Sequence, residues 1–122
     1  MRVLIVDDER DALDLLSMAL EKSGAAVATA SSAAEAFGVF QVFQPDVLLS
    51  DIGMPSEDGY SLIRRIMALE AERGGVAVKA VTLTAYAREE ARAKAMRESF
   101  QTHVAKPVKP SEIISIVRNL IK

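Results

Sequence analysis

The sequence of 122 residues predicts an α/β domain in which a parallel five-stranded sheet carries helices on both faces. Short apolar runs alternate with longer segments of helical periodicity along the whole chain, and turn-forming residues separate them. Strand–helix alternation implies parallel strands joined by right-handed crossovers, with helices on both faces of the sheet. The length suits one domain, so we expect a single domain over residues 1–122.

The first half of the chain supplies three predicted strands and two predicted helices. The strands lie at 3–6, 26–30 and 46–50, and the helices lie at 10–23 and roughly 33–43. Leucines at helical spacing give the first helix its apolar face, with Leu15 beside that stripe. Ser31 or Ser32 can cap the second helix, and Pro45 ends it.

The second half supplies two strands and three helices. The strands lie at 76–83 and 102–105, and the helices lie between Asp58 and Gly74, at 86–98 and at about 110–121. A loop rich in turn formers occupies 51–58, and its Asp58 can cap the helix that follows. Gly74 and Gly75 end that helix. The helix at 86–98 is rich in alanine and charge and has only a thin apolar face.

Composition excludes several classes of function. Half of the residues are hydrophobic and 26% are charged, which is typical of a globular domain with a real core. The chain has no cysteine and one histidine, which argues against disulfides, thiolate chemistry and an imidazole-based zinc site. A net charge of −2 without a basic stripe argues against direct nucleic-acid binding. Neither a membrane-spanning run nor a secretion signal is evident, so we expect a cytoplasmic location.

Polar side chains stand where four of the predicted strands end. Asp7 and Asp8 follow the first strand, Asp51 the third, Thr84 the fourth and Lys106 the fifth. If the first and third strands are neighbours, three carboxylates converge beyond their carboxyl ends, where ligands bind in such sheets. A hard divalent cation such as Mg²⁺ would stabilise that convergence. Metal, lysine and hydroxyl around an aspartate are the parts of a phosphoryl-transfer site in which the carboxylate is the nucleophile.

Each of these residues also has a simpler interpretation. The acids after the first strand can be helix-start acids near a positive dipole end, and Asp51 can be a turn aspartate. Thr84 can be an ordinary strand-end threonine and Lys106 a solvated lysine. Together these interpretations give no reason for complementary groups at four strand ends, so we favour the phosphoryl-transfer site.

Four stretches of sequence identify a known family. They are LIVDDE at 4–9, DVLLSDIGMPSEDGY at 46–60, VTLTAYA at 81–87 and HVAKPV at 103–108. In this order and spacing, the chain resembles the receiver domain of two-component response regulators over essentially its full length. The resemblance implies a flavodoxin-like (βα)5 fold with a parallel sheet of strand order 2-1-3-4-5.

The resemblance also implies a role for each site residue. Asp51 would accept the phosphoryl group, and Thr84 and Lys106 would each bind one of its oxygens. A magnesium ion, which manganese can replace, would be the cofactor. Its ligands would be the carboxylates of Asp7, Asp8 and Asp51 and the backbone carbonyl of Gly53.

The resemblance further implies the partner and the output. The phosphoryl donor would be a phosphohistidine on a sensor histidine kinase or on a histidine phosphotransfer protein. The domain would be a phosphoacceptor that assists its own phosphorylation and dephosphorylation, and not an enzyme in its own right. Output would come from repacking of the surface formed by helix 86–98, the fifth strand and the last helix, which could also support a homodimer. The stretches SDIGMPSEDGYSLIRRI and LTAYAREEARAKAM look most like the receivers of hybrid sensor histidine kinases.

Two positions depart from the common pattern of the family. His103 stands where the family often has Tyr or Phe as the switch residue coupled to Thr84. It could be a half-exposed strand residue, or a switch that also protonates near neutral pH, which would make the output pH-sensitive. The second position is Tyr86, and the resemblance implies that it and Gly53 would flank the path of attacking water. Tyr86 could merely begin its helix, or it could shield the acyl phosphate and slow its hydrolysis to minutes or longer.

Three other functions compete with this interpretation. A phosphohydrolase of the haloacid dehalogenase type would need a second acid two residues after the nucleophile, where this chain has Gly53. A degenerate receiver that only binds partners should lack an aspartate or the lysine, but every expected site residue is present. A nucleotide-binding flavodoxin-like domain would need a glycine-rich loop where this chain has Asp-Asp-Glu-Arg.

Overall fold

The computed structural model describes residues 1–51, 59–74, 78–84, 102–105 and 109–120, with side chains except at 59, 60, 84 and 102–105. The strands are β1 Arg2–Val6, β2 Ala26–Ala30, β3 Val47–Asp51, β4 Lys79–Thr84 and β5 Thr102–Ala105. The helices are α1 Arg10–Lys22, α2 Ala33–Phe43, α3 Gly59–Arg73 and α4 Pro110–Leu120. The predicted helix at 86–98 lies outside the described residues.

The strands form one parallel sheet in the order β2-β1-β3-β4-β5. The parallel sheet predicted from strand–helix alternation is therefore confirmed. β3 lies in the middle of the sheet, and all five of its residues are buried. Its register with β1 pairs Val6 with Ser50, so these two strands end side by side. Continuous apolar runs fit such strands because helices cover both faces of the sheet.

Helices cover the sheet on both faces, and each face has its own apolar core. Strand residues alternate between the faces, so Val3 and Ile5 of β1 point to one side and Leu4 and Val6 to the other. The first side packs against α1 and α4 through Leu13, Leu16, Leu20, Ile113 and Val117. The second side packs against α2 and α3 through Ala33, Ala36, Phe40, Leu62, Ile63 and Ile66. Within the described residues, no helix combines the length and apolar character needed to cross a bilayer.

The ends of α2 follow from short-range hydrogen bonds. Ser32 Oγ accepts a hydrogen bond from the backbone N–H of Glu35 at 3.1 Å, so Ser32 is the N-cap. The Glu35 carboxylate in turn accepts a hydrogen bond from the backbone N–H of Ser31 at 2.6 Å. At the other end, Gln44 adopts a left-handed conformation (φ 52°) immediately before Pro45. The helix ends there because proline disfavours helical geometry in the residue before it.

The predicted ends of β3 and β4 were wrong. β3 begins at Val47 and includes Asp51, which the sequence pattern placed in the following loop, because the β3–β4 ladder continues to the pair Asp51–Leu83. Asp46 instead ties the start of β3 to β1, since its backbone N–H donates to the Arg2 carbonyl at 2.8 Å. β4 begins at Lys79, later than the predicted 76, and includes Thr84.

Leu15 is more exposed than its place beside the leucine stripe suggested. Its side chain is 53% exposed, whereas the adjacent Leu16 is 4% exposed. One step along a helix turns the side chain by about 100°, which carries Leu15 away from the sheet.

Replacing Ser32 by alanine is expected to destabilise the domain. Ser32→Ala removes the oxygen that caps α2, which should lower the free energy of unfolding by about 1 kcal/mol. Ser31→Ala is the matched control, because the Ser31 backbone N–H still reaches Glu35 after the substitution. Chemical denaturation of both variants and the parent checks this. Equal losses in the two variants would contradict the assignment of Ser32 as the cap.

Candidate functional site at the carboxyl edge of the sheet

The register of β1 and β3 places three acids at the carboxyl edge of the sheet. Asp7 and Asp8 directly follow Val6, the last residue of β1, and Asp51 is the last residue of β3. Val6 is paired with Ser50, so Asp7 and Asp51 lie one step beyond the same register pair. Since β2 and β3 pair with opposite sides of β1, this edge is where the chain reverses the direction in which strands are added. Ligands bind at such a switch point in open α/β sheets.

The backbone around Asp7 fixes its side chain at this edge. Asp7 is fully buried, and its backbone N–H donates to the Ala30 carbonyl at 3.1 Å, which extends the ladder with β2. Its carboxylate Oδ1 accepts a hydrogen bond from the backbone N–H of Glu9 at 3.0 Å. Glu9 is the N-cap of α1, but its side chain makes no capping hydrogen bond. The carboxylate that accepts a backbone N–H at the start of this helix is therefore that of Asp7. Asp8, the next residue, is exposed to solvent.

One oxygen from each of Asp7, Asp8 and Asp51 lies within 4.8 Å of the other two. Asp7 is fully buried, Asp51 is 7% exposed and Asp8 is exposed. A clustered set of carboxylate oxygens open to solvent on one side is what Mg²⁺ prefers, because this ion keeps several of its waters. Oxygens bound directly to one Mg²⁺ lie at most about 4.2 Å apart, given Mg–O distances of 2.0–2.1 Å. The cluster is therefore compact enough for these carboxylates to share one magnesium ion, with water completing its coordination.

The structure places two of the other predicted site residues by their backbone alone. Thr84 is the last residue of β4 and pairs with Ala105. Its neighbour Leu83 pairs with Asp51, so Thr84 lies at the same edge of the sheet as Asp51. His103 lies within β5 and pairs with Thr82 of β4. The predicted roles of Gly53, Tyr86 and Lys106 fall outside the described residues.

Two buried hydroxyl groups near the site were not singled out from the sequence. Ser50 and Thr82 are paired on neighbouring strands and are both fully buried. Ser50 Oγ donates to the Asp51 backbone carbonyl at 3.2 Å, whereas Thr82 Oγ1 has no hydrogen-bond partner among the described residues. Threonine is common in strands, so Thr82 gave no signal in the sequence. The one signal for Ser50 in the sequence was its position, because a serine interrupts the apolar run of β3 there.

Comparison with known proteins shows the family. A family model for the response regulator receiver domain matches residues 3–118. The chain is 43% identical over 118 residues to an uncharacterized 14.6 kDa protein of Leptolyngbya boryana, which covers 97% of this chain and 88% of that protein. The chain belongs to the response regulator receiver domain family, in agreement with the resemblance seen in the sequence.

Other relatives are longer proteins, and the match covers part of each. The chain is 31% identical to the transcriptional regulatory protein PrrA of Mycobacterium bovis and spans 50% of its length. It is 30% identical to the hybrid signal transduction histidine kinase D of Dictyostelium discoideum and spans 8% of it. The crystal structure of a response regulator from Chloroflexus aurantiacus superposes with a TM-score of 0.87 at 28% identity, covering 98% of this chain and 96% of that one.

We expect Mg²⁺ to raise the melting temperature of this protein and Asp8→Asn to weaken that effect. Binding to the folded state alone at 100 times the dissociation constant stabilises it by about 2.7 kcal/mol. Asp8→Asn removes one charge from the cluster, so the metal-free protein should melt higher while the shift caused by Mg²⁺ shrinks.

The control is Asp14→Asn, which removes the same charge from an exposed position on α1. Thermal melts with and without Mg²⁺ should give a parental shift for Asp14→Asn. An undiminished shift in Asp8→Asn would show that the ion binds elsewhere.

Proposed function

We propose that this receiver domain takes a phosphoryl group onto Asp51 from a phosphohistidine of a partner protein. The observation that supports this is the convergence of Asp7, Asp8 and Asp51 within 4.8 Å at the switch point of the sheet. Asp51 is the member of the cluster suited to be the acceptor, because it ends the central strand, is held by the β3–β4 ladder and remains 7% exposed. Membership of the receiver family is the second support.

In the proposed reaction, one carboxylate oxygen of Asp51 attacks the phosphorus of the phosphohistidine in line with the leaving nitrogen. The P–N bond breaks as the new P–O bond forms, and the imidazole leaves with the electron pair and takes up a proton. The product is a mixed anhydride between the carboxylate and phosphoric acid. Apart from the nucleophile, the protein would contribute mainly by positioning the reacting groups and by neutralising the charge on the phosphoryl oxygens.

The neighbouring residues have separate proposed roles in this step. Asp7 and Asp8 would hold Mg²⁺, which when bound offsets the charge that spreads over the phosphoryl oxygens. The Thr84 hydroxyl would donate a hydrogen bond to one phosphoryl oxygen, and the Lys106 ammonium would pair with another. The Gly53 backbone carbonyl would complete the metal shell. The carboxyl-edge position of the Thr84 backbone supports its part in this proposal.

The proposed partner is a sensor histidine kinase or a histidine phosphotransfer protein, and the domain is proposed to act as a phosphoacceptor rather than as an enzyme in its own right. A relative named a hybrid histidine kinase supports a kinase partner. The proposed output is a repacking of the surface that includes β5 and α4. That surface could also support a homodimer, and the site of action is proposed to be the cytoplasm.

The phosphoacceptor role predicts a specific covalent product. Incubation with Mg²⁺ and a small acyl-phosphate donor should add one phosphoryl group to the chain, which intact-mass spectrometry can detect. Asp51→Asn should remain unmodified because the amide is not a competent nucleophile, and a chelator should abolish the gain in the parent. Asp14→Asn is the control, since it removes an acid outside the cluster and should be phosphorylated at the parental rate.

An unchanged mass at saturating donor would contradict the proposal. It would favour the alternative in which the domain only binds a partner and its acids serve as the start of α1.

Tyr86 is predicted to lengthen the life of the acyl phosphate. A bulky ring beside the phosphoryl group would block attacking water, so Tyr86→Ala should hydrolyse faster than the parent. The measurement is the decay of the phosphorylated mass after removal of the donor. Tyr86→Phe keeps the ring and should decay slowly, like the parent. A decay rate that is the same in Tyr86→Ala and the parent would contradict shielding by this residue.

A further inference from the structure

The outer side of β2 carries backbone groups that no described residue binds. β2 is an edge strand with β1 as its single neighbour. At its two ends, the Ala26 N–H donates to the residue before β1 at 2.8 Å, and the Ala30 carbonyl accepts from the residue after β1 at 3.1 Å. Alternate residues of a parallel strand bond to the same neighbour, so Ala28 also faces β1, whereas Val27 and Thr29 face outward. Their two N–H donors and two carbonyl acceptors have no hydrogen-bond partner in the described parts of the chain.

The sequence of β2 does not protect this edge. Natural proteins usually blunt a sheet edge with a charged side chain, a proline or a covering segment, because an open edge pairs with strands of other molecules. β2 reads Ala-Val-Ala-Thr-Ala, which contains neither a charge nor a proline. Ala26 and Thr29 are exposed to solvent, so the helices on the two faces leave the edge open at these positions. The edge is therefore accessible to a strand of another chain.

An apolar groove between α2 and the sheet reaches the same edge strand. Val42 of α2 is 86% exposed, the highest exposure among the large apolar side chains of the described residues. It lines the groove together with Ala28 of β2. The other residues that line the groove are Arg2, Gly38, Val39 and Phe43. A molecule that pairs with β2 would therefore also cover Val42.

We propose that two copies of this chain pair through β2, antiparallel, about a two-fold axis at Ala28. A two-fold axis perpendicular to the sheet makes the two edge strands antiparallel. Ala28 then faces Ala28 of the second copy in a non-hydrogen-bonded pair, where the Cα atoms lie only about 4.5 Å apart and a methyl group fits. On each side of the axis, Val27 pairs with Thr29 of the other copy and exchanges two hydrogen bonds with it. Every outward backbone group of Val27 and Thr29 is satisfied in this arrangement.

A second copy is favoured as the occupant because the edge is complementary to itself. Ala26 meets Ala30 of the other copy, so no bulky or charged side chain within β2 opposes another. Charges of opposite sign mark the two ends of the edge. Arg2 is the register partner of Ala26, and the Glu35 carboxylate accepts the Ser31 N–H just beyond Ala30. Antiparallel pairing therefore sets Arg2 of each copy toward Glu35 of the other.

This dimer is independent of the proposed phosphoryl transfer. β2 and β5 lie at opposite edges of the sheet, so the β2 contact is separate from the surface that includes β5 and α4. Two monomers should therefore pair without Mg²⁺ or a phosphoryl donor. One strand and the side of one helix make a small interface, so the dimer should form reversibly and depend on concentration.

The test is sedimentation velocity from micromolar to millimolar concentration, without Mg²⁺ or a phosphoryl donor. The parent should shift from monomer to dimer as the concentration rises. Val42→Lys places a charge in the contact and should raise the dissociation constant about tenfold or more. Met18→Lys is the matched control, because it adds the same charge at an exposed apolar position on α1 and should dimerise like the parent. A parent that stays monomeric, or a dissociation constant that is equal in Val42→Lys and the parent, would overturn the proposal.

A substitution in β2 tests the hydrogen bonds themselves. Thr29→Pro removes an outward N–H from each copy but no bond to β1, and proline is tolerated on the free side of an edge strand. Two of the four bonds between the copies are lost, so the dissociation constant should rise about tenfold or more. Thr29→Val keeps the N–H and should dimerise like the parent. Dimerisation of a folded Thr29→Pro at the parental dissociation constant would contradict pairing through β2.

Amide hydrogen exchange of the parent decides the matter if Thr29→Pro does not fold. The Val27 and Thr29 amides gain acceptors in the dimer, so their exchange should slow as the concentration rises. The amides of Ala26 and Ala28, which already bond to β1, are the internal reference. Exchange at Val27 and Thr29 that stays constant in a sample shown to dimerise would place the contact on another surface and overturn the proposal.

Discussion

The parallel pairing of β1 with β3 is the constraint on which the site depends. The pair Val6–Ser50 ends both strands together and so brings Asp7 to Asp51, which are 44 residues apart in sequence. A slip of one residue would turn every side chain of β3 to the opposite face, because side chains alternate along a strand. The two apolar cores forbid that slip, since both faces of the sheet are covered. The packing of residues far from the edge therefore fixes the spacing of the acids.

The cores also supply the stability that the acid cluster lacks. Two charged carboxylate oxygens that lie within 4.8 Å of each other repel by at least about 3.5 kcal/mol at an effective dielectric of about 20. A fully buried leucine or isoleucine stabilises the fold by about 1.5–3 kcal/mol. Leu4, Ile5, Leu48 and Leu49 are all fully buried in the two strands that carry the acids. These strands can therefore hold a repulsive cluster in place before any cation or phosphoryl group arrives.

Periodicity in the sequence was sufficient for the order and type of the described elements, but not for all of their ends. β2 and the cap at Ser32 agree with prediction, because turn and cap residues mark them locally. The end of β3 was missed because it depends on pairing with β4, a contact between distant parts of the chain. The three acids were predicted because each follows an apolar run. Thr82 was not, since its isolation depends on which residues surround it in three dimensions.

The two faces of β4 contact different layers of the protein, and the strand lies between the acid-bearing β3 and the edge strand β5. Leu83 faces the core beneath α1 and α4 and is paired with Asp51, so the position of the acceptor is tied to that layer. Thr82 faces the opposite layer and is paired with His103 of the edge strand. An edge strand has one neighbouring strand only, so fewer backbone hydrogen bonds hold β5 than hold β3. The acid cluster therefore lies at the centre of the sheet, where packing on both faces holds the strands, whereas β5 is held by one neighbouring strand.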